Sequence, residues 1–69
     1  MEKTAISYGK LWALLKNRNL KKKDLQGMTH LSSAVIAKLG KNESVQMETL
    51  VKICRALRVN LSDILEFTL

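Results

Sequence analysis

The sequence predicts an all-α domain built from five short helices. Composition is the first reason. Proline is absent, only three of the 69 residues are glycine, and Leu, Lys, Ala and Ile are abundant, a mixture that favours helix over sheet. Apolar spacing is the second, because large hydrophobes recur three and four residues apart along most of the chain. A length of 69 residues is enough for one domain, 1–69, with a small core.

The first helix is expected to start on a Ser7 cap and run to about Asn17, with Tyr8, Leu11, Trp12, Leu14 and Leu15 towards the core. Trp12 falls within this apolar stripe and is assigned to the core. Asn17-Arg18-Asn19 reads as a turn. Leu20 and Leu25 anchor a second helix over roughly Lys22 to Met28, which Gly27 weakens. Thr29 and His30 form the next turn, where His tolerates positive φ better than most residues.

The third helix has the best local signals. Ser32 is a good N-cap. Leu31 precedes it and Ile36 lies at the fourth helical position, so the pair can form a hydrophobic staple. Gly40 or Asn42 can end the helix in the left-handed conformation. Val35, Ile36 and Leu39 share one side of it, whereas Ser33, Ala34, Ala37, Lys38 and Lys41 share the other. That second face holds no acid, and its Ala and Ser residues are short enough to let a partner come close. It suits a helix pushed into a groove of DNA.

After a polar loop from Lys41 to Val45, a fourth helix starts near Ser44 or Gln46. Met47, Leu50, Val51, Ile53, Cys54 and Leu57 form its apolar face, with Cys54 as a buried small hydrophobe. Asn60 caps a fifth short helix with Asp63 three residues on, and Leu61, Ile64 and Leu65 form its apolar side. The chain then reaches two more large hydrophobes, Phe67 and Leu69. This surplus either makes a dimer contact or folds back over helix 1.

The net charge is +6, and its placement is more informative than its size. Residues 16–42 carry seven bases (Lys16, Arg18, Lys21, Lys22, Lys23, Lys38, Lys41) and one acid, Asp24. Outside them five bases balance five acids. The whole excess therefore sits on helices 2 and 3 and the loop before them, which is an electrostatic footprint for a polyanion. Lys21, Lys22 and Lys23 also stand at the start of helix 2, where the macrodipole disfavours cations by about 0.3–1 kcal/mol each. A phosphate completing that helix N-terminus would explain them.

Several classes of function are disfavoured. There is no metal-ligand spacing, no phosphate-cradling glycine loop and no Ser/His/Asp set. Six acids and one histidine leave little for acid–base catalysis, so neither an enzyme, a cofactor nor a small-molecule substrate is expected. Cys54 is the only cysteine, so no disulfide can form within the chain. No apolar run approaches the roughly 20 residues that span a bilayer, and MEKTAISYGK lacks the apolar centre of a signal peptide. The expected setting is the cytoplasm.

The segments Leu20–Leu25, LSSAVIAKL, METLVKICRAL and VNLSDIL occur in an order that resembles the Cro/phage-repressor (XRE-type) helix-turn-helix family over nearly the full length. The resemblance implies a compact five-helix, lambda-repressor-like DNA-binding domain, with helices 2 and 3 as the helix-turn-helix and helix 3 (about 33–39) in the major groove. Carried over by position, Ser33, Ala34, Ala37 and Lys38 would face bases. Lys can donate to guanine, Ala can touch a thymine methyl, and Ser is permissive. Lys22 matches the family's phosphate-contacting position at the start of helix 2. Lys41 and Asn42 match its backbone-contacting loop, and Lys21 and Lys23 are further phosphate candidates.

Three positions depart from the family pattern. Gln26 replaces a small residue of helix 2, His30 a turn glycine and Thr29 an apolar residue; Met28 is expected to compensate in the packing. Because Lys38 is the one strongly discriminating base-facing residue, part of the specificity is expected to rest on DNA shape.

The leading expectation is a sequence-specific double-stranded DNA-binding transcription regulator, a repressor acting as a homodimer. The alternative is an antitoxin or other protein-interaction module, motivated by the apolar C-terminal end. RNA binding through the same basic face is a third reading, weakened by having Tyr8, Trp12 and Phe67 as the only aromatics.

Overall fold

The computed structural model describes residues 5–68. A short strand, β1 (Ile6–Ser7), leads into helices α1 (Gly9–Asn17), α2 (Lys22–Thr29), α3 (Ser33–Gly40) and α4 (Met47–Leu57). A single 3₁₀ turn (Leu61–Asp63) and a second strand, β2 (Glu66–Phe67), follow. Helix α2 packs on α3 and α4, and the 3₁₀ turn packs against α1 and α4. The described residues span 33 × 22 × 19 Å.

The helices bury the stripes that their periodicity dictates. Leu11 and Leu15 come from α1, Leu25 from α2, Ile36 and Leu39 from α3, and Leu50, Ile53 and Leu57 from α4; Tyr8, Leu31 and Ile64 complete the core. Each large aliphatic residue buried in this way is worth about 1.5–3 kcal/mol relative to exposure. Trp12, Leu14, Leu20, Val35 and Cys54 are half-buried against this cluster. Burial raises the pKa of the Cys54 thiol, with Asp63 adding to the effect, as suits a packing residue more than a nucleophile.

Five expectations need correction. The fifth helix is one 3₁₀ turn. Its cap forms, since the Asp63 carboxylate accepts from the Asn60 N–H at 2.9 Å. But β2 begins three residues after Asp63 and pairs antiparallel with β1, Ile6 opposite Phe67 and Ser7 opposite Glu66. Too few residues remain to propagate an α-helix. The all-α reading therefore also missed a two-stranded ribbon. In it the tail folds back beside the entry to α1 while the Phe67 side chain stays exposed. Leu69 lies outside the described residues.

Ser7, expected to cap α1, belongs to β1, and Tyr8 occupies the cap position. The Ser7 hydroxyl nevertheless accepts from the Gly9 N–H at 3.2 Å. On α4, Met47 and Val51 are exposed although they continue the apolar stripe. Met28 is exposed as well and does not fill in for the small residue absent at position 26. Thr29 solves its own problem: it is buried, and its hydroxyl donates to the Leu25 carbonyl at 2.7 Å, which satisfies the polar atom in the apolar setting.

The end of α3 is tied to the start of α1. The buried Tyr8 donates its hydroxyl to the Glu43 carbonyl at 2.9 Å, and its N–H donates to Asn42 Oδ1 at 3.0 Å. Burial raises the Tyr8 pKa. Since the unfolded chain then loses this proton at lower pH than the folded one, the contribution holds below the ordinary tyrosine pKa of about 10 and is lost at higher pH. Tyr8→Phe is expected to cost about 0.5–1.5 kcal/mol in denaturant titrations near neutral pH, and to flatten the loss of stability above about pH 10. Gly27, by contrast, lies in mid-helix with open space where a Cβ would stand. Gly27→Ala is expected to raise stability by about 0.5–1 kcal/mol, read as an upward shift of the thermal midpoint.

Candidate nucleic-acid interface

Helix α3 is built by local signals in its own sequence. The Ser32 hydroxyl accepts from the Val35 N–H at 3.3 Å, and Leu31 and Ile36 are both buried on either side of that cap. At its other end, Asn42 takes the left-handed conformation, φ 58°. The N–H groups of Asn42 and Glu43 then reach back to the carbonyls of Leu39 (3.2 Å) and Lys38 (3.0 Å), a Schellman closure.

Ile36 and Leu39 are buried and Val35 is half-buried, whereas Ser33, Ala34, Ala37 and Lys38 are all exposed. At about 100° per residue these four cover an arc of roughly 140°, centred opposite the core-facing residues. The face presents two methyls, one hydroxyl and one ammonium and carries no acid, so it can approach a flat or grooved partner closely.

Helix α2 meets α3 through His30, which adopts φ 57° and donates its N–H to the Gln26 carbonyl at 2.8 Å. The sequence expectation of a left-handed histidine in this turn therefore holds. At the start of α2, the Asp24 carboxylate accepts from the Lys21 N–H at 2.7 Å, placing an anion where the helix dipole favours one. Lys21, Lys22 and Lys23 are exposed around it. The Lys22 ammonium sits 4.6 Å from the centroid of the Trp12 ring. It also lies beside the last turn of α3, since a Cβ on Gly40 would be 3.3 Å from Nζ. The geometry thus brings Lys22, from the start of α2, to the last turn of α3, the end of the helix where Lys38 and Lys41 are exposed.

Two members of the basic segment do something else. Arg18 donates to the Leu57 carbonyl at 2.6 Å, where a cation complements the C-terminal end of α4. Asn42 uses its side-chain oxygen to hold the Tyr8 N–H. Its structural duty was invisible in the sequence because the partners are 34 residues apart. The Lys22–Trp12 contact was equally hidden, although a lone Trp on a helix preceding three lysines was a usable signal.

Among the described residues, no group of three His, Cys, Asp or Glu side chains is arranged to hold a metal ion, and no helix is long and apolar enough to cross a membrane. On the outer side of α4 and the 3₁₀ turn lies an open groove of about 520 Å³, lined by Met47, Leu50, Val51, Cys54, Val59 and Leu61, with Arg55, Arg58, Asn60 and Asp63 around them.

Comparison with known proteins agrees with this geometry. The profile of the Cro/C1-type HTH DNA-binding domain matches residues 10–69. The crystal structure of the transcriptional regulator VanUg is similar at a TM-score of 0.88 and 41% sequence identity, over 96% of this chain and 88% of that one. No curated protein sequence matches significantly. A helix-turn-helix with a small, cationic outer face, matched in sequence over residues 10–69, makes this chain a member of the Cro/C1-type helix-turn-helix DNA-binding family.

Proposed function

We propose that this domain recognises a specific duplex DNA sequence as a transcriptional repressor, with α3 in the major groove. The observation that carries the proposal is the outward arc of Ser33, Ala34, Ala37 and Lys38 on α3, flanked by the clustered cations of α2 and the α3 terminus. Lys38 is the base-discriminating residue, donating to guanine. Lys21, Lys22, Lys23 and Lys41 meet phosphates, and Asn42 shapes the loop that follows the phosphate path. Likeness to a protein described as a transcriptional regulator supports a regulatory role. Seven lysines and arginines between positions 16 and 42 predict strong dependence on salt.

In a salt titration of duplex binding, affinity should fall with a log–log slope of about −0.9 per phosphate neutralised; a flat profile would exclude DNA as the partner. After selection of bound duplexes from a random pool, Lys38→Ala should relax preference at its base, where a good contact discriminates by about 1–3 kcal/mol. Lys22→Ala should weaken all sequences alike and lower the slope by about one. Equal, uniform losses in both variants would refute this division of roles.

We further propose that the repressor acts as a two-fold homodimer, its recognition helices about 34 Å apart, through the groove on α4. Met47 and Val51 are exposed there without a polar purpose, and the rim carries both signs, Arg58 and Asp63. A two-fold copy can therefore set each charge against its opposite. Val51→Glu should keep the helical content and convert the dimer to a monomer in sizing measurements. A wild-type chain that is monomeric at high concentration would overturn the dimer and return the groove to the alternative of a foreign protein partner.

A further inference from the structure

We propose that Trp12 is a positioning residue of the DNA interface. Its indole face holds the Lys22 ammonium beside the last turn of α3, ready for a phosphate, so that part of the affinity is set from α1. This inference rests on the phosphate role of Lys22 stated above.

Three observations converge on it. Nζ of Lys22 lies 4.6 Å from the Trp12 ring centroid, well within the reach of a cation–π contact. Trp12 is half-buried and packed against the core, so the ring is the fixed partner and the lysine the one that is held. The same ammonium lies at the end of α3, since a Cβ on Gly40 would come within 3.3 Å of it. Lys22 is the first residue of α2, where the helix dipole repels a cation. Its head group instead reaches the opposite, electronegative end of α3 and the negative face of the indole.

The effect on binding follows from order. A free lysine has a long stem with many rotamers, and freezing them on a phosphate opposes association. Here that ordering is already done on folding. The ammonium has three N–H donors, and Lys22 remains exposed, so a phosphate oxygen can approach from the solvent side while the ring stays in place. A contact of this type at an exposed site corresponds to about 2- to 5-fold in affinity.

The test is a double-mutant cycle on the full chain, using a duplex chosen by selection with the wild-type protein. Trp12→Leu should weaken binding about 2- to 5-fold with an unchanged salt slope, because the charge of Lys22 is kept. Lys22→Met should lower the slope by about one. In the Lys22→Met background Trp12→Leu should have no further effect on affinity. Trp12→Phe, which keeps a ring, should recover most of the loss. Circular dichroism melts establish that each variant is folded, and Trp12→Met, which also removes the ring, closes a second cycle with Lys22→Met if Trp12→Leu does not fold. Trp12 is the only tryptophan, so its emission reports on the contact directly: Lys22→Met should change it in the free protein.

An additive cycle, with Trp12→Leu equally costly in both backgrounds, would overturn the inference and leave Trp12 as a core residue. Steep salt dependence in the wild type together with an additive cycle refutes this inference alone. A wild-type chain that binds no duplex refutes the DNA-binding proposal as well.

Discussion

The rotation of α3 about its own axis is fixed by Ile36 and Leu39, and nearly everything on its outward side depends on that. Both are driven inward by burial, and a turn of the helix by one residue, about 100°, would expose one of them and bury a polar or charged neighbour. Burial of an unpaired lysine such as Lys38 is far more costly than any contact the helix makes on its outer side. The core therefore selects the outward residues, although none of the core residues faces the solvent side of α3. Ser32 and Asn42 set where the helix begins and ends, and the Tyr8 hydrogen bonds to Asn42 and Glu43 anchor the far end to the entry of α1.

Charge is arranged with comparable economy. Seven bases in one stretch would repel one another if they projected at random. Instead Arg18 is turned onto the carbonyl end of α4, Lys22 is held against an aromatic face while staying exposed, and Asp24 accepts from the Lys21 N–H at the start of α2 among the lysines. What remains outward is a smaller set of lysines at the start of α2 and the end of α3. The sequence total overstates how many of these charges are directed at a partner, and the folded protein directs those that are.

Features governed by neighbours in sequence were readable in advance. The Ser32 cap, the Leu31–Ile36 staple, the left-handed His30 and the split faces of α3 all depend on residues within a few positions of one another. Features governed by distant partners were not. Tyr8 bonds to residues 34 and 35 positions away, and Arg18 to one 39 away. The ribbon formed by β1 and β2 pairs the two ends of the described chain, and no local pattern could announce it. That pairing also explains why the last segment stopped after one 3₁₀ turn. Val51 and Met47 failed for a different reason: periodicity marks a stripe as apolar, but the width of the stripe that finds a neighbour depends on how many other elements surround the helix.

Among the described residues, the four non-glycine residues with positive φ all stand at helix ends: Asn19, His30, Asn42 and Arg58. No described glycine is used in that way. A Cβ at such a corner narrows the accessible φ and ψ far more than glycine would, so the angle between α2 and α3 is held stiffly at His30. If α3 enters the major groove as proposed, it meets its target with its shape already set. Accommodation at a poorly fitting site must then come from bending or groove-width change in the duplex, and sequences that deform easily gain an advantage independent of any base contact.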